Sequence, residues 1–172
     1  LLYLEYDEES RMDDTWLYYP EQHVPFSRIY VPGNFIPHKK QAGKTCLCIE
    51  FPCDVDSELW KTDAKELASL TDDILLPSGL LRTRCVDALS VRIAEGYPLY
   101  EIGYEQHVGK VLGYLRSFGN CITAGRQGLF RHNNMDQALQ MGLLAAEHIL
   151  QNENGDLWYD RVNRFNDYRI VD

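Results

Sequence analysis

The sequence has little basic charge and no long hydrophobic run. Its 17 Lys and Arg residues are outnumbered by 26 Asp and Glu residues, which gives a formal net charge of −9 over 172 residues. General nucleic-acid binding and anionic-membrane binding both require a positive face, so this balance argues against them. No apolar run approaches the roughly 18 residues of a membrane span. A small anionic ligand is not excluded, because a few arginines in a cleft can act against the net charge.

The spacing of cysteines and glycines excludes two further kinds of site. The five cysteines include no C-x-x-C pair and the histidines do not cluster near them, so no metal site is predicted. An odd number of cysteines without a spacing framework is typical of reduced thiols and predicts a cytoplasmic protein. No G-x-G-x-x-G occurs in the chain, so the dinucleotide-binding fingerprint is missing.

The hydrophobic patterning that is present predicts an α+β fold. Apolar residues make up 45% of the chain and charged residues 25%, which is a globular profile. Period-two alternation with short turns predicts an antiparallel sheet in the first half, and helical spacing dominates the second half. The predicted strands are 1–6, 15–19, 27–31, 44–51, 82–94 and 121–124, and the predicted helices are 63–76, 104–118 and 135–150.

Three regions follow from this pattern. Residues 1–118 form the antiparallel sheet with covering helices, residues 119–151 form a strand, loop and helix, and residues 152–172 form a peripheral tail. The chain begins inside a strand-like run, so we expect it to be a fragment of a longer protein. The tail is polar and carries scattered aromatics, so we expect a peripheral helix or a partly ordered end; the aromatics are Trp158, Tyr159, Phe165 and Tyr168.

The segment 120–136 carries most of the chemical information. It combines a predicted strand, a glycine-containing loop with Arg126, and a helix start. Asn134 can cap that helix, and Gln137 can complete a reciprocal bond. The free N–H groups of the first turn favour a hydrogen-bond acceptor, and Asp136 would repel a bare phosphate. We therefore expect a ring carbonyl or a ribityl hydroxyl there; a helix cap with a structural arginine is the alternative.

The helix that follows has an apolar stripe with small residues. Gly142, Ala145 and Ala146 leave the helix thin on one side, so we expect it to lie close against a sheet or a cofactor domain. The stripe consists of Met135, Ala138, Leu139, Gly142, Leu143, Ala146, Ile149 and Leu150.

Four short motifs then occur in a fixed order. They are Phe26-Ser27-Arg28-Ile29, Cys48-Ile49-Glu50-Phe51-Pro52, Gly96-Tyr97-Pro98, and Gly125-Arg126 followed by an aromatic and Asn134-Met135-Asp136. Together they resemble FAD-dependent proteins of the amine-oxidase/protoporphyrinogen-oxidase type, and within that group UDP-galactopyranose mutase and its uncharacterised relatives. The resemblance runs from about residue 15 to residue 150.

The resemblance implies a division of labour along the chain. Residues 1–118 would be a substrate-side domain, and the strand, loop and helix of 119–151 would return to the FAD-binding domain. The N-terminal FAD-binding domain with its glycine fingerprint would be missing, so the chain alone would be inactive and would bind FAD weakly or not at all. An uncovered cofactor-facing side would expose an apolar patch and favour self-association.

The resemblance also implies roles for individual residues. Arg28 would hold an anionic group such as the diphosphate of a nucleotide-sugar, because a guanidinium forms bidentate charge-assisted bonds. Tyr97, Arg126 and His132 would line the same substrate site, and no catalytic residue is assigned. Flavin contacts would come from Gly125, Arg126, Asn134, Met135 and Asp136.

Two departures from the mutase pattern leave the substrate open. His132 stands where the mutases carry a tyrosine, and Asn134 stands where they carry an aspartate. The parent enzyme is then either a mutase, with nucleophilic catalysis by the cofactor on a nucleotide-sugar, or an oxidoreductase that needs no diphosphate clamp. Arg28 together with Arg126 favours an anionic ligand. A flavin-independent binding or interaction domain of antiparallel α+β type is the alternative from a different class.

Overall fold

The chain divides by its internal contacts into two units. A computed structural model describes residues 1–36, 38 and 40–163. The first unit is Leu1–Ala94 and the second begins at Glu95. All five strands belong to the first unit and four of the helices to the second. The predicted α+β class with an antiparallel sheet is confirmed; the boundaries predicted at residues 118 and 151 stay predictions.

The sheet of the first unit is antiparallel at every pairing. Its order is β2-β3-β4-β1-β5. The central strand β1 pairs with β4 on one side and with β5 on the other. The strands are β1 (Leu2–Tyr6), β2 (Trp16–Tyr18), β3 (Arg28–Tyr30), β4 (Thr45–Glu50) and β5 (Asp87–Ser90).

The strand predicted over 82–94 is wrong in length, since only Asp87–Ser90 is a strand. Backbone groups of the residues before this strand form hydrogen bonds with a side chain and not with a neighbouring strand. The Glu8 carboxylate accepts hydrogen bonds from the backbone N–H groups of Arg82 and Thr83, each at 2.8 Å. After it, the Arg92 guanidinium donates to two carbonyl groups near residue 61, which holds that segment away from a ladder.

One face of the sheet is covered by helix α3 (Ala64–Ser78), which follows two short helices, α1 (Pro32–Phe35) and α2 (Glu58–Lys61). Alternate residues of β1 are fully buried against it, as the period of a strand requires. The predicted stop of this helix before Pro77 is wrong by two residues. The helix continues to Ser78 and is capped by Gly79, whose φ of +76° suits a glycine. The core comprises Leu2, Leu4, Tyr6, Ile29, Leu47, Ile49, Leu67 and Leu75, among others.

The second unit is helical. Its elements are α4 (Tyr104–Arg116), α5 (Gly125–Gly128), α6 (Met135–Leu150) and α7 (Gly155–Asn163). The buried cluster is built largely by α7, which contributes Trp158, Tyr159 and Val162 next to Leu129 and Met141. Trp158 is fully buried although it lies in the region predicted as a tail. Phe165 and Tyr168 lie outside the described residues.

The strand predicted over 121–124 is wrong, because these residues have no strand pairing. Thr123 instead forms two hydrogen bonds outside a sheet. The Thr123 carbonyl accepts a hydrogen bond from Trp158 Nε1 at 2.9 Å, and Thr123 Oγ1 donates to the carbonyl of Gly128 at 2.9 Å. The loop predicted over 125–133 likewise contains the short helix α5.

Helix α6 turns its apolar stripe outward. Leu139 is 67% exposed, Leu143 is 70% exposed and Leu150 is 85% exposed. The buried side carries Gln137, Met141 and His148. The expectation that the stripe lies against another element is therefore not met within the described part of the chain, since the inner core of this unit is filled from α7 instead. None of the helices in the described residues is both long and apolar enough to span a membrane.

A buried hydrogen bond joins the sheet to α3 and gives a test of the fold. Tyr6 donates to Asp72 Oδ1 at 2.8 Å, and Asp72 Oδ2 accepts from the backbone N–H of Cys85 at 3.0 Å. Burial and the neighbouring Asp72 carboxylate raise the pKa of Tyr6, so its hydroxyl keeps its proton. We expect Tyr6→Phe to lower the free energy of unfolding by about 1–3 kcal/mol, because Asp72 stays buried with one donor fewer.

Urea denaturation measures this change. Tyr18→Phe is the matched control in the same unit, because the Tyr18 side chain is largely exposed and its hydroxyl lies 3.5 Å from Arg28. We expect the control to change stability by no more than about 0.5 kcal/mol. Equal losses in the two variants would contradict a special role for the Tyr6–Asp72 bond.

Candidate functional site

Arg28 lies on the sheet face opposite the core, where strand register places its partners. β2 and β4 flank β3, so Tyr18 and Glu50 sit directly across from Arg28 on either side. Arg28 Nη2 lies 2.6 Å from Glu50 Oε1, and about a fifth of each side chain is exposed, 21% and 19%. The guanidinium also lies 4.3 Å from the centre of the Trp16 ring. An ion pair on one side and a cation–π contact on the other hold this arginine in one orientation.

Aromatic rings extend this face beyond Arg28. Trp16 lies 5.1 Å from Tyr30 and 5.2 Å from Phe35, measured between ring centres. Burial, together with hydrogen bonds to Cys48 and Tyr3, raises the pKa of Tyr30. Sequence reasoning did not assign these rings to the site. The signal was available, since Trp16 and Tyr30 occupy the outward positions of two predicted strands.

The second unit brings together three of the four predicted substrate residues. The Tyr97 ring stacks on the His132 imidazole with centres 5.5 Å apart and 9° between the planes. The Arg126 guanidinium carbon lies 4.7 Å from the centre of the same Tyr97 ring. Arg126, Tyr97 and His132 are therefore one cluster. Arg28, the fourth, belongs to the first unit.

The loop that carries Arg126 is fixed by main-chain hydrogen bonds. Arg126 Nη2 donates to the carbonyl of Asn133 at 2.5 Å, which closes the loop between α5 and α6. Gly125 has a φ of +81°, and its N–H contacts Met141 Sδ at 2.9 Å. The His132 N–H donates to the Tyr100 hydroxyl at 2.5 Å. These contacts give the loop a defined shape without a long side-chain network.

Arg131 has a structural role that the sequence did not reveal. Its guanidinium donates to the carbonyl of Val162 at 2.7 Å, so it joins the loop to the last turn of α7. Burial lowers the pKa of Arg131.

The start of α6 matches the predicted cap. Asn134 and Gln137 form a capping box, in which the Asn134 N–H donates to Gln137 Oε1 at 3.0 Å. Asp136 lies in the first turn and Met135 is the first helical residue. The remaining first-turn N–H groups have no intrahelical partner, as at any helix start. They can serve a neutral acceptor, while Asp136 disfavours a bare phosphate.

Asn133, just before the cap, has an unusual environment. Its side chain is buried, with 6% of the residue exposed. Neither its Oδ1 nor its Nδ2 has a hydrogen-bond partner among the described residues. Buried amides are nearly always paired, so this one requires an explanation.

The two arginines predicted to bind a ligand, one in each unit, differ in electrostatics. Arg28 is paired with a carboxylate, whereas Arg126 donates to a neutral carbonyl and makes no ion pair with a described carboxylate. Arg126 therefore keeps its positive charge available for an anionic ligand. Within residues 1–36, 38 and 40–163, no group of three or more His, Cys, Asp or Glu side chains is placed to hold a metal ion.

Comparison with known proteins identifies a similar solved structure. No family model matches the chain, and no curated protein matches it. Among solved structures, the chain is similar to reduced UDP-galactopyranose mutase, with 26% sequence identity and a TM-score of 0.70. The match covers 87% of this chain and 32% of the mutase chain, so this chain spans about a third of that protein. The fold is therefore similar to that of a UDP-galactopyranose mutase.

Two glycines of the second unit test the loop geometry. Gly125 lies in the left-handed region, where a Cβ costs about 1–2 kcal/mol. Gly142 lies within α6, and an added Cβ there meets open space. We expect Gly125→Ala to lower the free energy of unfolding by about 1 kcal/mol and Gly142→Ala to raise it by about 0.5–1 kcal/mol. Thermal or urea unfolding measures both, and a stabilising Gly125→Ala would show that the loop does not have this conformation.

Proposed function

We propose that this chain supplies the substrate-side domain and the flavin-contacting loop of a flavoenzyme similar to UDP-galactopyranose mutase. The substrate class is a nucleotide-sugar or a similar small anionic molecule. The observation that supports this most directly is the cluster of Tyr97, Arg126 and His132 beside the start of α6. It combines a cation that has no carboxylate partner among the described residues with a stack of two rings, in a chain of net charge −9.

Arg126 would bind the anionic group. A guanidinium has five N–H donors in a planar fork, and its contact with the Asn133 carbonyl uses one of its terminal nitrogens. The remaining donors can form bidentate bonds to a phosphate. The Tyr97 ring supports the guanidinium from one face and so fixes the direction of its donors. His132, which stacks on Tyr97, would add a donor toward the same ligand.

Arg28, which lies in the first unit, would be a separate contact for an anionic group. Its guanidinium is oriented by Glu50 and by the Trp16 ring, so little side-chain entropy remains to be lost on binding. A diphosphate that contacts Arg28 would meet a pair whose net charge is close to zero. Because of this pairing, we expect Arg28 to orient an anionic group more than to attract it.

The residues of the α5–α6 loop fit a flavin. Gly125 allows close approach of the backbone, and the first-turn N–H groups at Met135 and Asp136 suit a ring carbonyl. The unpaired amide of Asn133 offers further hydrogen-bonding capacity. When bound, a flavin supplies redox or nucleophilic chemistry at its ring. The residues of this chain would hold the ring, orient the substrate and keep water away, and the rest of the FAD contacts would come from a region equivalent to the other two thirds of the mutase.

Ligand binding tests the proposed function. We expect the full-length gene product to show flavin absorbance bands and to bind UDP, measured by isothermal titration calorimetry. Arg126→Ala should weaken UDP binding at least tenfold, because about 1.5–3 kcal/mol is typical of a hydrogen bond to a charged group.

Arg116→Ala is the matched control. Arg116 lies on α4 and pairs with Asp156 and Asp160, outside the cluster. We expect it to leave UDP affinity unchanged. A colourless full-length protein that fails to take up FAD would refute the flavoenzyme assignment, and equal affinities for Arg126→Ala and the parent protein would refute the role of Arg126.

The outward stripe of α6 would be the contact surface for the flavin-binding region. Its large side chains are exposed and its small residues Gly142 and Ala146 allow close packing. For the 172-residue chain by itself, we expect this surface to cause concentration-dependent self-association. Leu143→Glu should abolish it, whereas Gln140→Glu, an exposed polar position on α6, should not. Sedimentation velocity measures both, and a clean monomer of the unaltered chain at high concentration would contradict the expectation.

A further inference from the structure

We propose that the Asn133 carboxamide hydrogen-bonds to a lactam edge, meaning an adjacent ring C=O and N–H, of the molecule bound at the start of α6. This inference rests on the proposed function and names the chemical group that the site recognises. It assigns a ligand-binding role to Asn133, a residue outside the motifs from which the site was first predicted.

The burial of Asn133 provides the first argument. Only 6% of the residue is exposed, and both polar atoms of its side chain lack a partner among the described residues. Leaving a buried polar group unpaired costs about 1–3 kcal/mol. An apolar side chain of the same size would avoid this cost entirely. The amide is therefore explained best by a partner that is present in the working protein.

The position of Asn133 provides the second argument. It directly precedes the N-cap of α6, a 16-residue helix with a capping box. Its carbonyl accepts the hydrogen bond from Arg126, which fixes the backbone of Asn133 relative to the cluster. Asn133 is therefore bonded to Arg126 through its backbone and adjoins the helix start in sequence, so it is near both groups proposed to meet the ligand.

The chemistry of the amide selects the partner. A carboxamide presents one acceptor and one donor side by side, which is the complement of a ring C=O next to a ring N–H. A phosphate would satisfy only the donor, and Asp136 disfavours it. A neutral lactam satisfies both atoms and adds no charge beside Asp136.

The backbone nearby favours a change on binding. Phe130 has a φ of +52°, in the left-handed region that a bulky residue seldom adopts. The unpaired amide and the strained Phe130 lie within four residues of each other. Both polar atoms are covered in the unliganded chain, so pairing requires the segment 130–134 to shift. A ligand that pairs the amide would stabilise the shifted arrangement.

Two molecules within the proposed function carry this edge. The pyrimidine ring of a flavin has one, and the uracil of a uridine nucleotide has another. The experiment separates them with FAD and UDP, and with the N3-methylated form of each, in which the ring N–H is blocked. It uses the full-length gene product, and measures binding by flavin fluorescence for FAD and by calorimetry for UDP.

The test compares Asn133→Leu with Asn120→Leu, a substitution of an exposed asparagine outside the loop. We expect Asn133→Leu to raise the midpoint of thermal unfolding, because the buried amide is removed. We also expect it to weaken the binding of either FAD or UDP about tenfold. The parent protein should prefer the unmethylated form of that probe, and Asn133→Leu should lose this preference. Asn133→Ala provides the same comparison if leucine does not fit.

The outcomes distinguish the inference from the proposed function. If the parent protein binds FAD and UDP but Asn133→Leu and Asn133→Ala bind both with unchanged affinity, the inference is overturned and the proposed function stands. An undiminished preference for the unmethylated probe in both variants would likewise overturn it. If the parent protein binds neither probe, the proposed function fails and the inference fails with it. A loss confined to FAD assigns the edge to the flavin, and a loss confined to UDP assigns it to uracil.

Discussion

The guanidinium of Arg126 determines the shape of the candidate site. It lies against the Tyr97 ring and donates to the carbonyl of Asn133, so it joins a turn before α4 to the residues that begin α6. His132 stacks on the same Tyr97 ring. Without the guanidinium, the segment 129–133 would keep its packing through Leu129 and Phe130 but would lose the hydrogen bond that fixes Asn133. One side chain thus supplies both the geometry and the positive charge of the cluster.

The environments of the two arginines explain how an acidic chain can serve an anionic ligand. Long-range repulsion from a net charge of −9 is screened over about 8–10 Å at physiological salt, so the groups within contact distance dominate. Arg28 is already compensated by Glu50 at 2.6 Å. Arg126 is compensated by a carbonyl dipole, which stabilises the cation without cancelling its charge. The attraction is therefore local and is concentrated in the second unit.

Sequence reasoning succeeded where structure is set by neighbours along the chain. β1, β4 and α6 follow from alternation, helical spacing and the Asn134 cap, and their observed bounds lie close to the predicted ones. It failed where the local structure depends on a residue that is distant in the sequence. Arg82 and Thr83 look like strand residues, but the Glu8 carboxylate takes their N–H groups.

The same distinction holds at the site. Gly125, Arg126 and the helix cap were readable as a local motif, and the mutase resemblance added Tyr97 and His132. The contacts of Tyr97 with Arg126 and His132 join residues more than 25 positions apart in the sequence. No local pattern contains such contacts. Trp16 was missed although alternation places it on the outward face of a predicted strand, because that position alone does not separate a ligand surface from packing.

Three features that local rules disfavour occur together in the segment 130–150. Phe130 has a positive φ, the Asn133 amide is buried without a partner, and α6 presents leucines outward while its inner side carries Gln137 and His148. The first two raise the free energy of the isolated chain, and a sequence selected for stability alone would remove them. Under the proposed function, all three features are explained by molecules outside the chain. The amide and the strained backbone point to a small ligand, and the exposed leucines point to a protein surface, so the segment would meet both on adjacent sides of one helix.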